Sequence, residues 1–444
     1  MLKRIICLTA TLTAVVAVSS CTKSGNNLSP EGYSNQGTAV ATGNAVLTPF
    51  EQKEKIENVG TEFFDEIDIE NWQSSADFFR RLSDHLASLG NANYHAFDAF
   101  ETWSEEMEDY LVDGKIKDAK LTYKVTAALS SLQNGTFTEK DGAFEFKESG
   151  SNLKVVTFLD GKTVTITLTH GAESKLYEVY SEHWEAEYDW EREYWQGEEF
   201  TEADYSSYVK IPSWVNIEVK EGSAKRLNWK VNIDFTDSDN NGKISVEKDK
   251  AVIDTQIDSD GYSLYARESY WYEKGLGCST VNTSIHKGSK LLLAAAAEGS
   301  ASMTGSMDEG YELGTPKTVK GAIDVLGELQ AKGTVDYAQA LYLMEKLDPY
   351  ASQDDFNSAV AAIEKCLDVA IYYDKKQGRQ AWLGLEPMYD EYYNQRYVEP
   401  VIRFSDGTSY GVDEFFNEND FRNLLKAMEA WENGIAEYFG YMGY

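Results

Sequence analysis

Histidine and cysteine, the side chains behind most metal and nucleophile chemistry, are scarce in this chain. The five histidines (His85, His95, His170, His183 and His286) are scattered, and no CxxC or Cys/His ligand spacing occurs, so a zinc site has nothing to stand on. There is no GxSxG elbow, no HExxH, no Walker loop and no GxGxxG after a strand, which removes the commonest hydrolase, metalloprotease and nucleotide-binding signatures. Positive charge is also short: 41 Lys and Arg face 74 Asp and Glu, a net of −33. That balance argues against nucleic acid as a partner, because such binding needs clustered cations to release counterions from phosphates. Only seven prolines are present, and after Cys21 the apolar run Leu291 to Ala297 reaches just seven residues, far below the roughly 20 of a membrane helix. No internal repeat at solenoid or propeller periods appears.

What is present begins at the front. Lys3 and Arg4 form a basic start, Ile5 to Val18 is apolar or small, and Val18-Ser19-Ser20-Cys21 follows. This order is that of an export signal, and the last four residues resemble the lipobox of bacterial lipoproteins, in which the Cys is acylated and becomes the new N-terminus. The resemblance covers residues 1–21 and implies a signal peptide (1–20), lipidated Cys21 and a bilayer as partner. It also implies an outer-membrane address, since Thr22 rather than Asp follows the Cys. The body is then expected on the periplasmic side, with display on the cell surface as the alternative. Several acyl chains anchor firmly where one binds only marginally. Residues 22–47, rich in Gly, Ser, Asn and Thr, read as a flexible tether with a reach of roughly 28 Å.

Periodicity divides the remainder. From 48 to 134 the spacing is helical. Thr48-Pro49-Phe50-Glu51 is a capping box with Pro at the first helical position, and Ile56, Val59, Phe63 and Ile67 follow at threes and fours. A second helix is expected from Ser74 or Ser75 to Gly90, a third through Phe97 to Leu111, and a fourth through Leu121 to Leu132. From 135 to 314 the period becomes two. Asp141-Gly142 and Asp160-Gly161 separate alternating runs, a strong hairpin signal. Leu227 to Phe235 places Leu, Trp, Val, Ile and Phe on one face, with Asn, Lys, Asn and Asp on the other, as in a sheet with one wet side. From 315 to 444 helical spacing resumes: one helix opening at Thr315-Pro316 with Val319, Ile323, Leu326 and Leu329, one through Ala338 to Leu347, one capped by Ser352, and a last one from Phe421 to Tyr438. A small hairpin lies near 401–410. The expected fold is α+β, a curved antiparallel β-sheet flanked by N-terminal and C-terminal helical parts.

Three constellations invite a functional reading. Trp184 to Tyr194 alternates aromatics with five carboxylates. Read as one strand, it sets successive acids about 7 Å apart on one face. Charge runs are ordinarily solvated faces; the sharper reading is a glycan-binding surface in which Trp184, Tyr188 and Trp190 stack on sugar rings, or a contact for a basic protein. Asp237, Asp239 and Asn241 sit at the first, third and fifth positions of a segment resembling a calcium loop, with Gly242 at the sixth. Position twelve is Lys248 rather than Glu, and Asp/Asn/Gly is also what a plain turn requires, so Ca2+ and a structural turn both stay open. Ser284 to Lys287 has the serine–lysine spacing of penicillin-recognising enzymes without their companion motifs. Cys278 and Cys366 are a disulfide pair or two buried thiols. The composition and the anchor together suggest an acidic envelope lipoprotein with a non-catalytic binding or structural role, or else a glycan-binding or glycan-active protein.

Overall fold

The computed structural model describes residues 46–67, 69–89, 134–148, 150, 152–171, 173–180, 188–189, 194–195, 206–238, 243–244, 249–306, 310–373 and 378–440. The chain is α+β. Two helices come first, α1 (Pro49–Glu66) and α2 (Ile69–Ser88). The strands that follow are β1 (Gly135–Lys140), β2 (Ala143–Glu148), β3 (Leu153–Leu159), β4 (Lys162–His170), β5 (Glu173–Tyr180), β6 (Tyr188–Asp189), β7 (Tyr194–Trp195), β8 (Ser206–Pro212), β9 (Trp214–Glu221), β10 (Ala224–Thr236), β11 (Lys243–Ile244) and β12 (Lys250–Ser259). The long central strands are β13 (Tyr262–Glu273), β14 (Leu276–Lys287), β15 (Lys290–Ser306), β16 (Gly310–Val325) and β17 (Leu329–Asp336). Then come α3 (Tyr337–Glu345), α4 (Gln353–Glu364), β18 (Leu367–Tyr373), β19 (Ala381–Asp390), β20 (Gln395–Phe404), β21 (Ser409–Gly411), α5 (Val412–Phe415) and α6 (Arg422–Gly440).

Sixteen strands form one open sheet in the order β2-β1-β3-β4-β9-β10-β12-β13-β14-β15-β16-β17-β18-β19-β20-β21, while β11-β5-β8 and β6-β7 form two small sheets. All neighbours in the large sheet are antiparallel except β1 and β3. Because the meander alternates direction, seven tight turns fall on one edge: those after β1, β3, β9, β12, β14, β16 and β20. The Asp-Gly pairs 141–142, 160–161 and 260–261 all have both residues at positive φ, the conformation that twists a two-residue turn to match its strands.

Helices α1 and α2 run across this edge, meeting the turns in reverse strand order. Gln52 Nε2 donates to the Gln380 carbonyl at 3.2 Å, just before β19. Phe63 packs with Leu292, Leu293 and Tyr262, and the Glu66 carbonyl accepts from Tyr262 Oη at 3.1 Å and Lys287 Nζ at 2.8 Å. Asn71 Nδ2 donates to the Asp260 carbonyl at 2.9 Å. Phe78 and Leu82 pack with Leu159, Val164 and Val219, and Arg81 pairs with Asp160. Finally His85 Nε2 lies 2.9 Å from Glu139 Oε2 and 3.0 Å from Thr157 Oγ1. Helix α1 starts as the sequence predicts, with both halves of the Thr48/Glu51 capping box formed. Its apolar stripe supplies one buried residue per turn: Ile56, Val59 and Phe63.

Helix α6 covers α1 from outside, so the layers at this edge are sheet, α1–α2, then α6. Phe64 and Trp431 approach to 5.8 Å between ring centres. At Gly60 a Cβ would lie 2.6 Å from Leu424 Cδ1, so the two helices cross closely here and that side chain would have to shift to admit a larger residue. The N-terminus of α1 is sealed by Phe404, Phe415 and Phe421, with Lys53 5.1 Å from the Phe415 ring centre and 2.5 Å from Asp420. On the opposite face of the sheet, Glu364 of α4 clamps Arg403 with two bonds of 2.5 and 3.0 Å.

Several expectations are corrected. The helix expected from Thr315-Pro316 is instead β16 and β17, so the boundary placed at residue 314 falls inside a strand. Val319, Ile323 and Leu326 recur at four and three, but Val319, Gly321, Ile323 and Val325 also fit a period of two, and the β-branched residues among them tip the balance toward strand. The sheet then continues through β18 and β19, which helical spacing did not foretell. Helix α2 begins at Ile69, ahead of Ser74. The helices expected within 97–132 lie outside the described residues.

The His85–Glu139 contact makes a prediction. Burial alone would push the Glu139 carboxyl up, but hydrogen bonds from Thr157, His85 and the Phe158 amide outweigh it and hold the group below the usual carboxylate range. A depressed folded pKa gives stability that is complete above the unfolded value of about 4.3 and is lost as pH falls through the folded one. Thermal melts should show wild type above Glu139→Gln by about 1 to 2 kcal/mol near pH 7. The two should converge as the pH drops well below about 4.

Candidate functional site

The edge opposite the helices has a different surface. Ten of the twelve exposed large apolar or aromatic side chains among the described residues lie between Tyr337 and Tyr397. They sit on α3, on the loop after it and on the β19–β20 hairpin, so exposure is concentrated at one place rather than scattered. The hairpin supplies the densest part, with Tyr389 48%, Tyr392 87% and Tyr393 64% exposed, and Tyr350 from the neighbouring loop is 71% exposed.

These rings are held. The Asp390 carboxylate accepts from the amides of Tyr392 at 2.8 Å and Tyr393 at 3.1 Å, which is how a short Asp side chain fixes a turn. Asn394 completes the turn at φ 51° and accepts from Tyr389 Oη at 2.5 Å. Tyr392 and Tyr393 meet edge to face, 4.8 Å between centres at 85°, a favoured aromatic geometry. The Arg396 amide donates to the Pro349 carbonyl at 2.8 Å, and its Nε donates to the Ala351 carbonyl at 3.2 Å. These two bonds dock the Tyr350 loop along the free edge of β20. The Arg396 guanidinium also lies 5.3 Å from the Tyr389 ring centre, and the Tyr350 amide is held by Asp348 at 2.9 Å. Asp348, Asp390 and Arg396 are thus committed to backbone or ring, while Glu391 of the same turn is exposed.

Three other clusters gather polar or cleft-lining groups. A cleft of about 290 Å³ between α1, α2 and α6 is lined by Phe64, Asp65, Ile67, Glu70, Ala427, Ala430 and Trp431; its walls are the packing seam of the three helices. The His85, Glu139 and Thr157 group has the composition of a catalytic triad, but Thr157 is fully buried and cannot meet a substrate. A third cluster joins Gln52, Gln380 and Tyr373, all buried. Leu47 donates its amide to Gln380 Oε1 at 3.0 Å, Gln52 Nε2 donates to the Leu47 carbonyl at 3.0 Å, and Tyr373 Oη donates to Gln52 Oε1 at 3.3 Å. Burial pushes the Tyr373 phenol far above its usual range. This knot fixes where residue 47 joins the body.

The residues singled out in the sequence fare unevenly. Cys21, Trp184, Trp190, Asp239 and Asn241 lie outside the described residues. Tyr188 is in β6, which pairs with β7 so that Tyr188 faces Trp195 and Asp189 faces Tyr194. Residues 188–189 and 194–195 therefore run antiparallel to each other, which corrects the reading of this stretch as a single strand. Asp237 follows β10, and the next residue, Ser238, donates its amide to buried Asp249 at 2.7 Å. Among the described residues no group of three or more His, Cys, Asp or Glu is placed to hold a metal ion. Ser284 and Lys287 point to opposite faces of β14: Ser284 pairs with Tyr265 and Lys287 with Tyr262. Cys278 and Cys366 are free thiols, each raised in pKa chiefly by burial.

The tyrosine hairpin escaped sequence reading because its rings sit at both parities of a turn and so carry no period. The available signal was density: Tyr389, Tyr392, Tyr393 and Tyr397 within nine residues, with Asp390 and Asn394 as turn formers. Comparison with protein-family models, with curated proteins and with solved structures finds no match.

Removing the turn's acceptor tests the rigidity of this site. In Asp390→Ala the Tyr392 and Tyr393 amides should exchange with solvent about fivefold faster, the equivalent of about 1 kcal/mol, while the melting temperature barely moves. Unchanged protection would show that the hairpin is held by something else.

Proposed function

We propose that this chain is a lipid-anchored envelope protein whose body binds a partner through its tyrosine-bearing edge rather than transforming a substrate. The anchor is Cys21, acylated within the lipobox-like Val18-Ser19-Ser20-Cys21, with Thr22 directing the protein to the outer membrane and the body on the periplasmic side. The observation that carries the reading is an asymmetry. Residue 47 joins the body beside Gln380, at the helical edge. Strand β19 runs from there, Ala381 to Asp390, to the tyrosine hairpin, about 30 Å away at 3.3 Å per residue. A tether at one edge and exposed, prearranged rings at the other suit a module held to a bilayer while its binding surface faces outward.

The surrounding charge supports the same arrangement. A strongly acidic body is repelled by an anionic bilayer surface, so attachment falls to the acyl chains and the tether. Exposed tyrosines combine a large apolar face with a polar tip and lose little rotamer freedom on contact, which is why they recur in binding surfaces.

Metabolic labelling with an alkyne fatty acid in cells expressing the full chain should mark wild type and leave Cys21→Ser unmarked. Cys21→Ser should also move from the membrane pellet to the soluble fraction. An unlabelled wild type, or a Cys21→Ser chain still in the pellet, would contradict the anchor.

A further inference from the structure

We infer that the platform of Tyr350, Tyr389, Tyr392 and Tyr393 takes a neutral polysaccharide. The inference rests on the reading of the body as a binding module and gives that module a ligand class.

The chemistry of the platform selects the ligand. Four exposed phenol rings on a turn and its docked loop offer flat apolar faces bordered by hydroxyls. A pyranose presents the matching surface: a face of C–H groups for stacking and equatorial hydroxyls for the rim. Rings serve this purpose only if they are held before the ligand arrives, since ordering them afterwards costs binding free energy. Here Asp390 fixes the amides of Tyr392 and Tyr393, Asn394 fixes the Tyr389 hydroxyl, and Arg396 ties the Tyr350 loop to β20 through Pro349 and Ala351.

The charges decide between ligand classes. Asp390 and Asp348 are spent on backbone amides, and the Arg396 guanidinium lies over Tyr389 while its Nε–H and the Arg396 backbone amide hold the loop. Lys346, on the adjoining helix end, lies 4.0 Å from the Tyr342 ring centre. A polyanion meets no uncommitted cation among these groups, and the acidity of the whole chain repels it. A polycation finds Asp390 and Asp348 already accepting hydrogen bonds, which leaves the exposed Glu391 as the carboxylate of this turn open to it. An uncharged polymer that stacks and exchanges hydroxyl contacts is the class that loses nothing by this arrangement. Tyr392, the most exposed of the rings, and Tyr393 meet edge to face. Their planes differ in direction, which suits a chain whose successive sugars turn relative to one another.

The test is retardation of the detergent-solubilised, full-length protein in native gels. The gels are cast with a soluble β-1,4-glucan, an α-glucan or a mannan, and run beside gels with polygalacturonate and with poly-lysine. At least one neutral polymer should retard wild type. Tyr392→Ala/Tyr393→Ala should weaken that retardation by about tenfold, and Tyr392→Phe/Tyr393→Phe, which keeps both rings, should stay within about threefold of wild type. Unaltered circular dichroism of each variant excludes unfolding as the cause. No retardation by any neutral polymer, retardation indifferent to the Ala pair, or retardation confined to polygalacturonate or poly-lysine overturns the proposal. Fatty-acid labelling is independent of these gels. A labelled protein that ignores neutral glycans refutes the ligand alone, whereas an unlabelled one that binds them refutes the anchor alone.

Discussion

One dimensional match holds the molecule together: a turn of α-helix is about 5.4 Å long, and neighbouring strands lie about 4.8 Å apart. A helix laid across strands therefore offers a fresh side chain to nearly every strand it crosses. From Gln52 to His85 the helices advance about 50 Å at 1.5 Å per residue. The sheet from β19 back to β1 spans twelve strand steps, about 58 Å. The reverse-order pairing of helix residues with turns follows from these lengths, the short link between α1 and α2 making up part of the difference. A sheet sixteen strands wide and open at both margins would otherwise have only its ladders to keep distant strands in one body. The rod of α1 and α2 supplies a second connection through apolar clusters around Phe63, Phe78 and Tyr373.

That arrangement also makes the two edges unlike. At the helical edge α1 and α2 pack on the strand ends beside turns whose tips stay exposed: Asp160 pairs with Arg81, Glu66 of α1 pairs with Lys287, and the Asp260 carbonyl accepts from Asn71, while the tether joins through a buried polar knot. Its members are the groups that burial would penalise if any bond were missing. At the far edge the connections are loops, hairpins and the α3–α4 excursion, free of a covering layer of α1 and α2. Loops on a rigid scaffold are where recognition surfaces can vary without disturbing the core. The tyrosine hairpin extends β19 and β20, whose other ends lie in the buried aromatic cluster of Phe404 with Phe415 and Phe421. Rigidity is thus delivered to the hairpin along its own strands.

Much of this was legible in the residues themselves. Thr48, Pro49 and Glu51 announced α1, the Asp-Gly pairs announced their hairpins, Ser352 and Asp355 announced α4, and the alternation from Leu227 to Phe235 announced a sheet with one apolar face. These signals are local, and local chemistry satisfies them. The failures share a cause. Val319 to Leu329 and the β18–β19 segment have spacings compatible with either period, and only their neighbours across the sheet decide. The direction in which α1 and α2 cross the turns is a property of the whole meander and appears in no window of the sequence. The aromatic and acidic stretch at 184–195 drew attention by composition, whereas the site that geometry favours is a turn whose tyrosines follow no period.

The claim that a single helical rod binds the whole breadth of the sheet is open to direct measurement. Hydrogen exchange pulse-labelling of the full-length protein across a urea series reports β4 and β19 separately in one sample. These strands lie far apart in the sheet, beneath α2 and beside the start of α1. If the rod joins them, their amides lose protection at the same midpoint, and Phe63→Ala, midway between, lowers both midpoints alike. Separate midpoints, or a Phe63→Ala effect confined to β13–β16, would mean that the sheet is two bodies and that the helices merely lie upon it.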